Sequence, residues 1–91
     1  MSQEVFMKRM IGSKVKIKSI EWYNKNKWPD GFVRGEAVGF NELMSIHCGA
    51  EAIIEDAYLS FGSQCYSLNI DDGCWTWVEY MFEKGEVYGI E

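Results

Sequence analysis

The chain has one histidine, one proline and three cysteines in 91 residues, and no apolar run of more than a few residues. Each shortage excludes something. Without a long apolar run there is no membrane span, and Lys8-Arg9 is followed by Met10, Ile11 and Gly12 rather than by the apolar core of a secretory signal. An odd cysteine count with no export signal argues against a disulfide framework and for reduced thiols in the cytoplasm. One proline, with 47% hydrophobic and 25% charged residues, is the profile of an ordered globule rather than a disordered tail.

The same scarcity limits catalysis and metal binding. A zinc site would need His47 or Cys48 together with Cys65 and Cys74, but structural zinc ligands come as close pairs and no Cys-x-x-Cys occurs. Cys48 as a nucleophile lacks a base, since its neighbour His47 would point elsewhere on a helix and the chain has no second histidine. Asp71-Asp72 before Gly73 is accounted for by turn propensity. Gly31, Gly35 and Gly39 recur every four residues without the Lys-Ser/Thr ending of a phosphate-cradling loop. The expectation is a protein with no catalytic residues, no cofactor and no bound metal.

Charge is unevenly divided. Residues 1–28 hold seven Lys or Arg against two acids, residues 29–91 hold two against twelve, and the total is −5. Lys14, Lys16, Lys18, Lys25 and Lys27 near Trp22, Tyr23 and Trp28 make a small case for nucleic acid, yet five scattered cations in an acidic chain make a poor phosphate field. Pairing of these lysines with Glu51, Glu55 and Asp56 is the simpler account.

What is present is a set of short, alternating segments. After a tail at residues 1–12, Val15 and Ile17 alternate with Lys14, Lys16 and Lys18, which predicts a half-buried strand with a solvated lysine face. Ser19 can cap a short helix through about Asn26, and Pro29-Asp30-Gly31 ends it. Phe40, Leu43, Met44 and His47 stand at i, i+3, i+4 and i+7, one face of a two-turn helix, with Gly49 where a left-handed cap would fall. Residues 51–78 read as a three-stranded meander: "EAIIEDAYL" with Ala52, Ile54 and Tyr58 on one side, "CYSLNI" with Tyr66, Leu68 and Ile70 inward, then "CWTWV" after a reversal at Asp71-Asp72-Gly73. A helical turn over 79–82 and a last strand over 86–90 complete the pattern. The fold class this predicts is mostly β: a small SH3-like, partly open barrel of about five strands with one or two short helices, forming a single domain over 13–91.

"KVKIKSIEWY", then Phe40, Met44, Cys48-Gly49, Ala52 and Ile54, then Tyr66, Asp72-Gly73, Trp75, Trp77 and Met81 to Glu83 resemble a family of small uncharacterised proteins encoded by bacterial phages, prophages and mobile elements. The resemblance spans roughly residues 12–83. It implies an SH3-like fold and a phage or prophage setting in a bacterial host, and carries over no catalytic residue.

Aromatics are 15% of the chain. In a strand Trp75 and Trp77 share a face opposite Cys74, Thr76 and Val78. Two indoles are hard to bury in so small a barrel, so one is expected in the core and one at the rim. The rim expected to bind is Trp22, Tyr23, Trp28, Trp77 and Tyr80, contacting a protein partner. The alternatives from the same residues are a small, nucleotide-like molecule stacked on the aromatics with Lys16 or Lys18 on its phosphate, and an acidic inhibitor using Asp56, Asp71, Asp72, Glu79 and Glu83. An apolar tail of Val5, Phe6, Met7, Met10 and Ile11, with exposed strand edges, leaves a homodimer open.

Overall fold

The computed structural model describes residues 9–83. In chain order these form strand β1 (Lys14–Lys16), helix α1 (Ile20–Asn26), a 3₁₀ segment (Leu43–His47), strands β2 (Glu51–Ser60) and β3 (Ser63–Leu68), and a second 3₁₀ turn (Glu79–Met81). The strands make one antiparallel sheet in the order β1-β2-β3.

That architecture is a small α+β fold and corrects the expected SH3-like barrel of about five strands. The "CWTWV" segment does not run as a third meander strand. Its contact with β3 is a single bridge, Tyr66 opposite Trp77, closed by Tyr66 N–H to Trp77 O at 2.8 Å and Trp77 N–H to Tyr66 O at 3.0 Å. The reason lies in the turn before it: Asp71 holds Trp75 N–H with its side chain and Cys74 N–H with its carbonyl, at 3.2 and 3.0 Å, so the backbone is coiled where a ladder would need it extended. The strand expected over 86–90 lies outside the described residues. No helix among those described is long and apolar enough to cross a membrane.

Local chemistry sets the elements that do form. In α1 the Ser19 hydroxyl accepts the Trp22 N–H at 3.0 Å, satisfying one orphan donor of the first turn, with Glu21 at the positive end of the helix and Lys25 at the negative end. β1 buries Val15 and turns Lys14 and Lys16 outward, and Lys14 meets Glu51 of β2 at 3.6 Å. Ile17 follows in the core, whereas Lys18 is half-buried with its ammonium 5.2 Å from the centre of the Trp22 ring. β2 alternates Ala52 and Ile54 into the core until its register shifts between Ile54 and Asp56. β2 and β3 join through Phe61-Gly62, both at positive φ, the two-residue connection that matches the strands' twist.

The expected two-turn helix after Phe40 is instead 3₁₀, and the change of pitch changes the faces. At three residues per turn Met44 and His47 share one edge, and Leu43 and Ile46 the next. Met44 is buried and His47 half-buried, while Leu43 and Ile46 face solvent. Gly49 takes φ +82° and donates its N–H to Ile17 O and Lys18 O at 3.1 and 3.0 Å, so the left-handed cap also stitches the segment to the chain just past β1.

Residues 77–82 run from one edge of the sheet to the other. Trp77 bridges β3, and Phe82 bridges Ile17 just beyond β1, where Lys18 N–H reaches Met81 O at 2.9 Å and Glu83 N–H reaches Lys16 O at 2.7 Å. Both outer strands thereby lose part of their unpaired edge. On the outside of this crossing, residues of the expected tail are docked: the Arg9 Nε–H donates to both Glu79 carboxylate oxygens at 3.0 and 3.1 Å, and the Tyr66 hydroxyl donates to Glu79 Oε2 at 2.6 Å.

Phe40 sits at the centre of the core. Trp22 meets it edge-on at 5.2 Å between centroids, with Trp77 at 6.0 Å and Tyr23 at 5.8 Å. Each such pair contributes about 0.5–1.5 kcal/mol beyond the area it buries.

Candidate functional site

The five aromatics expected to form a rim occupy three different environments. Trp77 is fully buried and Tyr23 nearly so, Trp22 and Tyr80 are half-buried against the core, and Trp28 is 56% exposed. The structure brings four of them together around Phe40, directly or through Trp22, whose ring centre lies 6.3 Å from that of Tyr80. Trp28 stands apart. A surface rim containing Trp77 is therefore not what the fold presents, since that indole has no accessible surface.

Trp77 is the core member of the tryptophan pair and Trp75 the half-buried one. The Trp77 indole N–H donates to Asp71 Oδ2 at 2.9 Å, so the acidic pair before Gly73 splits into a structural hub, Asp71, and an exposed turn residue, Asp72, at φ +54°. Tyr80 also has a structural role. Its hydroxyl donates to Val38 O at 2.6 Å, its ring lies on Gly35, where any β-carbon would overlap it, and burial pushes its phenol up to about 12. The ring locks the loop closed by the Val33–Phe40 bridge.

His47 and Cys48 are half-buried, Cys65 is buried and Cys74 is exposed. The His47 ring sits edge-on to Trp77 at 6.0 Å. Burial pushes the thiols of Cys48 and Cys65 up, which disfavours the thiolate. All three cysteines are unpaired.

Trp28 borders an open groove of about 380 Å³ just past the end of α1. The turn Trp28-Pro29-Asp30-Gly31 makes it: Gly31 N–H returns to Trp28 O at 2.8 Å, Gly31 takes φ +88°, and Trp28 N–H donates to Phe32 O at 2.8 Å. Tyr23, Lys27, Asp30 and Glu42 line the groove as well, and the Tyr23 hydroxyl ties its far wall by donating to Gly31 O at 2.7 Å. The indole has a cationic neighbour. Arg34 lies over its ring with the guanidinium carbon 4.5 Å from the centroid, and donates to Asp30 Oδ2 at 2.7 Å. That hydrogen bond and the Phe32 N–H keep the Asp30 carboxyl below the usual range.

No family model, curated protein or solved structure matches this chain. The functional reading therefore stands on the groove's own chemistry. Sequence reasoning named Trp28 as one of five rim aromatics, but did not name Asp30, Arg34 or Glu42 as site residues. The one local signal for them is the i, i+4 spacing of Asp30 and Arg34, which permits the ion pair. Glu42 reaches the groove from the start of the 3₁₀ segment, a tertiary placement that has no local signature.

Proposed function

We propose that this protein is a non-enzymatic binding module that captures a segment of a protein partner in the groove beside Trp28. The observation that carries the reading is an exposed indole, with the ion-paired Arg34 against its ring, at the border of a groove of about 380 Å³. An aromatic side chain has few rotatable bonds to immobilise on binding, and tryptophan is among the residue types enriched at binding hot spots. The setting we propose is the cytoplasm of a bacterial host carrying a phage or prophage, in keeping with the family resemblance and three unpaired thiols.

The nucleotide reading is less well supported. Glu42 lines the groove without an ion-pair partner among the described residues, while Arg34 is taken by Asp30, Lys27 lies over Tyr23 and Lys18 is turned onto Trp22. The Glu42 carboxylate repels a phosphate.

The test is selection of a displayed random-peptide library against the intact protein, followed by fluorescence-polarisation titration of the selected peptides. Trp28→Ala should weaken them by about thirtyfold or more, the loss a hot-spot truncation gives, with an unchanged melting temperature. Selected peptides that bind the variant as tightly as the parent would refute the reading.

A further inference from the structure

The proposed groove carries more information than its shape. Both aromatic rings that line it already hold a cation supplied by the chain itself. Arg34 lies on Trp28 at 4.5 Å, and the Lys27 ammonium lies 5.3 Å from the centre of the Tyr23 ring. In the first pair the cation is shared between a ring face and a carboxylate, because the same guanidinium donates to Asp30. At an exposed site such a contact contributes only modestly.

Glu42 supplies a second carboxylate with no ion-pair partner among the described residues. It is exposed, and its Oε1 lies 3.6 Å from the point a β-carbon of residue 31 would occupy; the Tyr23 hydroxyl lies 3.7 Å from that point. Residue 31 is glycine at φ +88°, so no side chain fills the space between that carboxylate and that hydroxyl. Of the charges at the groove, Asp30 is paired with Arg34 and the Lys27 ammonium lies over Tyr23, which leaves Glu42 as the carboxylate without an ion-pair partner among the described residues.

We infer that the groove takes the cationic side chain of a partner segment, an arginine or a lysine, with Glu42 as its counter-charge and Trp28 beside it. This rests on the reading of the groove as a protein-binding site. The exposed position of Glu42 sets a modest, salt-sensitive contribution.

The experiment uses four blocked tripeptides, acetyl-Ala-X-Ala-amide with X as arginine, lysine, norleucine or glutamate, titrated at low salt into the ¹⁵N-labelled protein. The Trp28 indole and Gly31 amide resonances report the groove. The arginine and lysine peptides should move both resonances saturably, the glutamate peptide should not, and Glu42→Gln should weaken the cationic peptides by about two- to fivefold. Glu42→Lys should reverse the order, favouring the glutamate peptide. If norleucine binds as well as arginine and Glu42→Gln changes nothing, the cation preference is wrong and the groove still binds protein segments. If no peptide of the four moves Trp28 or Gly31, the groove reading falls together with the preference.

Discussion

The indole N–H of the fully buried Trp77 donates to Asp71 Oδ2 at 2.9 Å, and the same oxygen accepts the Trp75 N–H at 3.2 Å while Oδ1 accepts the Gly73 N–H at 3.1 Å. One carboxylate thus satisfies three donors and fixes the largest side chain of the core. Asp71→Ala should cost about 2–3 kcal/mol, because hydrogen bonds to a charged acceptor are lost and a buried donor is left without a partner. Asp72→Asn should change stability by less than about 0.5 kcal/mol, since asparagine tolerates the left-handed turn position. Urea unfolding of both variants checks the contrast, and equal costs would contradict the role given to Asp71.

Gly35 is a second position where the core depends on one atom. A β-carbon there would overlap the Tyr80 ring, whose hydroxyl anchors the loop at Val38 O. Gly35→Ala should destabilise by about 1–3 kcal/mol, the usual cost of forcing a packed ring aside. A Gly35→Ala protein with unchanged stability would show that Tyr80 does not lie on this backbone.

Alkaline pH should unfold the protein through its buried phenols. Burial raises Tyr66, helped by its hydrogen bond to Glu79, and burial pushes Tyr80 up to about 12. In both the folded state keeps its proton to higher pH than the unfolded chain, so ionisation favours unfolding. Their contribution is therefore complete below about pH 10, the unfolded value, and is lost as pH rises from there towards the folded values. Urea midpoints should show this contribution intact from pH 8 to 9.5 and declining above about pH 10, and Tyr80→Phe should make that decline shallower. A midpoint that rises above pH 10 would have the wrong sign.

The hairpin tip offers a gain. Phe61 takes φ +54° with 70% of its surface exposed, a conformation that bulky side chains rarely adopt. Phe61→Asn should stabilise by about 0.5–1 kcal/mol, because Asn-Gly is the favoured pair for this turn. Thermal unfolding reads the effect, and a loss of stability would mean that the Phe61 ring contributes packing at the tip.

Local chemistry was legible in the sequence where one residue decides an element. Ser19 caps α1, Val15 and Ile17 alternate into the core, and Gly49 takes the left-handed position. The barrel failed because alternation in "CWTWV" says nothing of Asp71, whose side chain draws that backbone out of a ladder. An α-helical period puts Leu43 on one face with Phe40 and Met44, whereas the segment winds with three residues per turn and leaves Leu43 exposed. The site divided in the same way. Composition pointed to five aromatics, but which of them stays at the surface depends on how the others gather around Phe40, and that is decided by tertiary packing.

The central claim is that Trp28, rather than Trp77, meets the partner. The chain has four tryptophans, so four indole N–H signals of the ¹⁵N-labelled protein report on the question together as a library-selected peptide is titrated in. The account predicts that the Trp28 signal shifts saturably with the Gly31 amide, while the Trp77 signal, tied to Asp71, stays in place. A stationary Trp28 signal, with shifts confined to Leu59 and Phe61 at the hairpin tip, would contradict it.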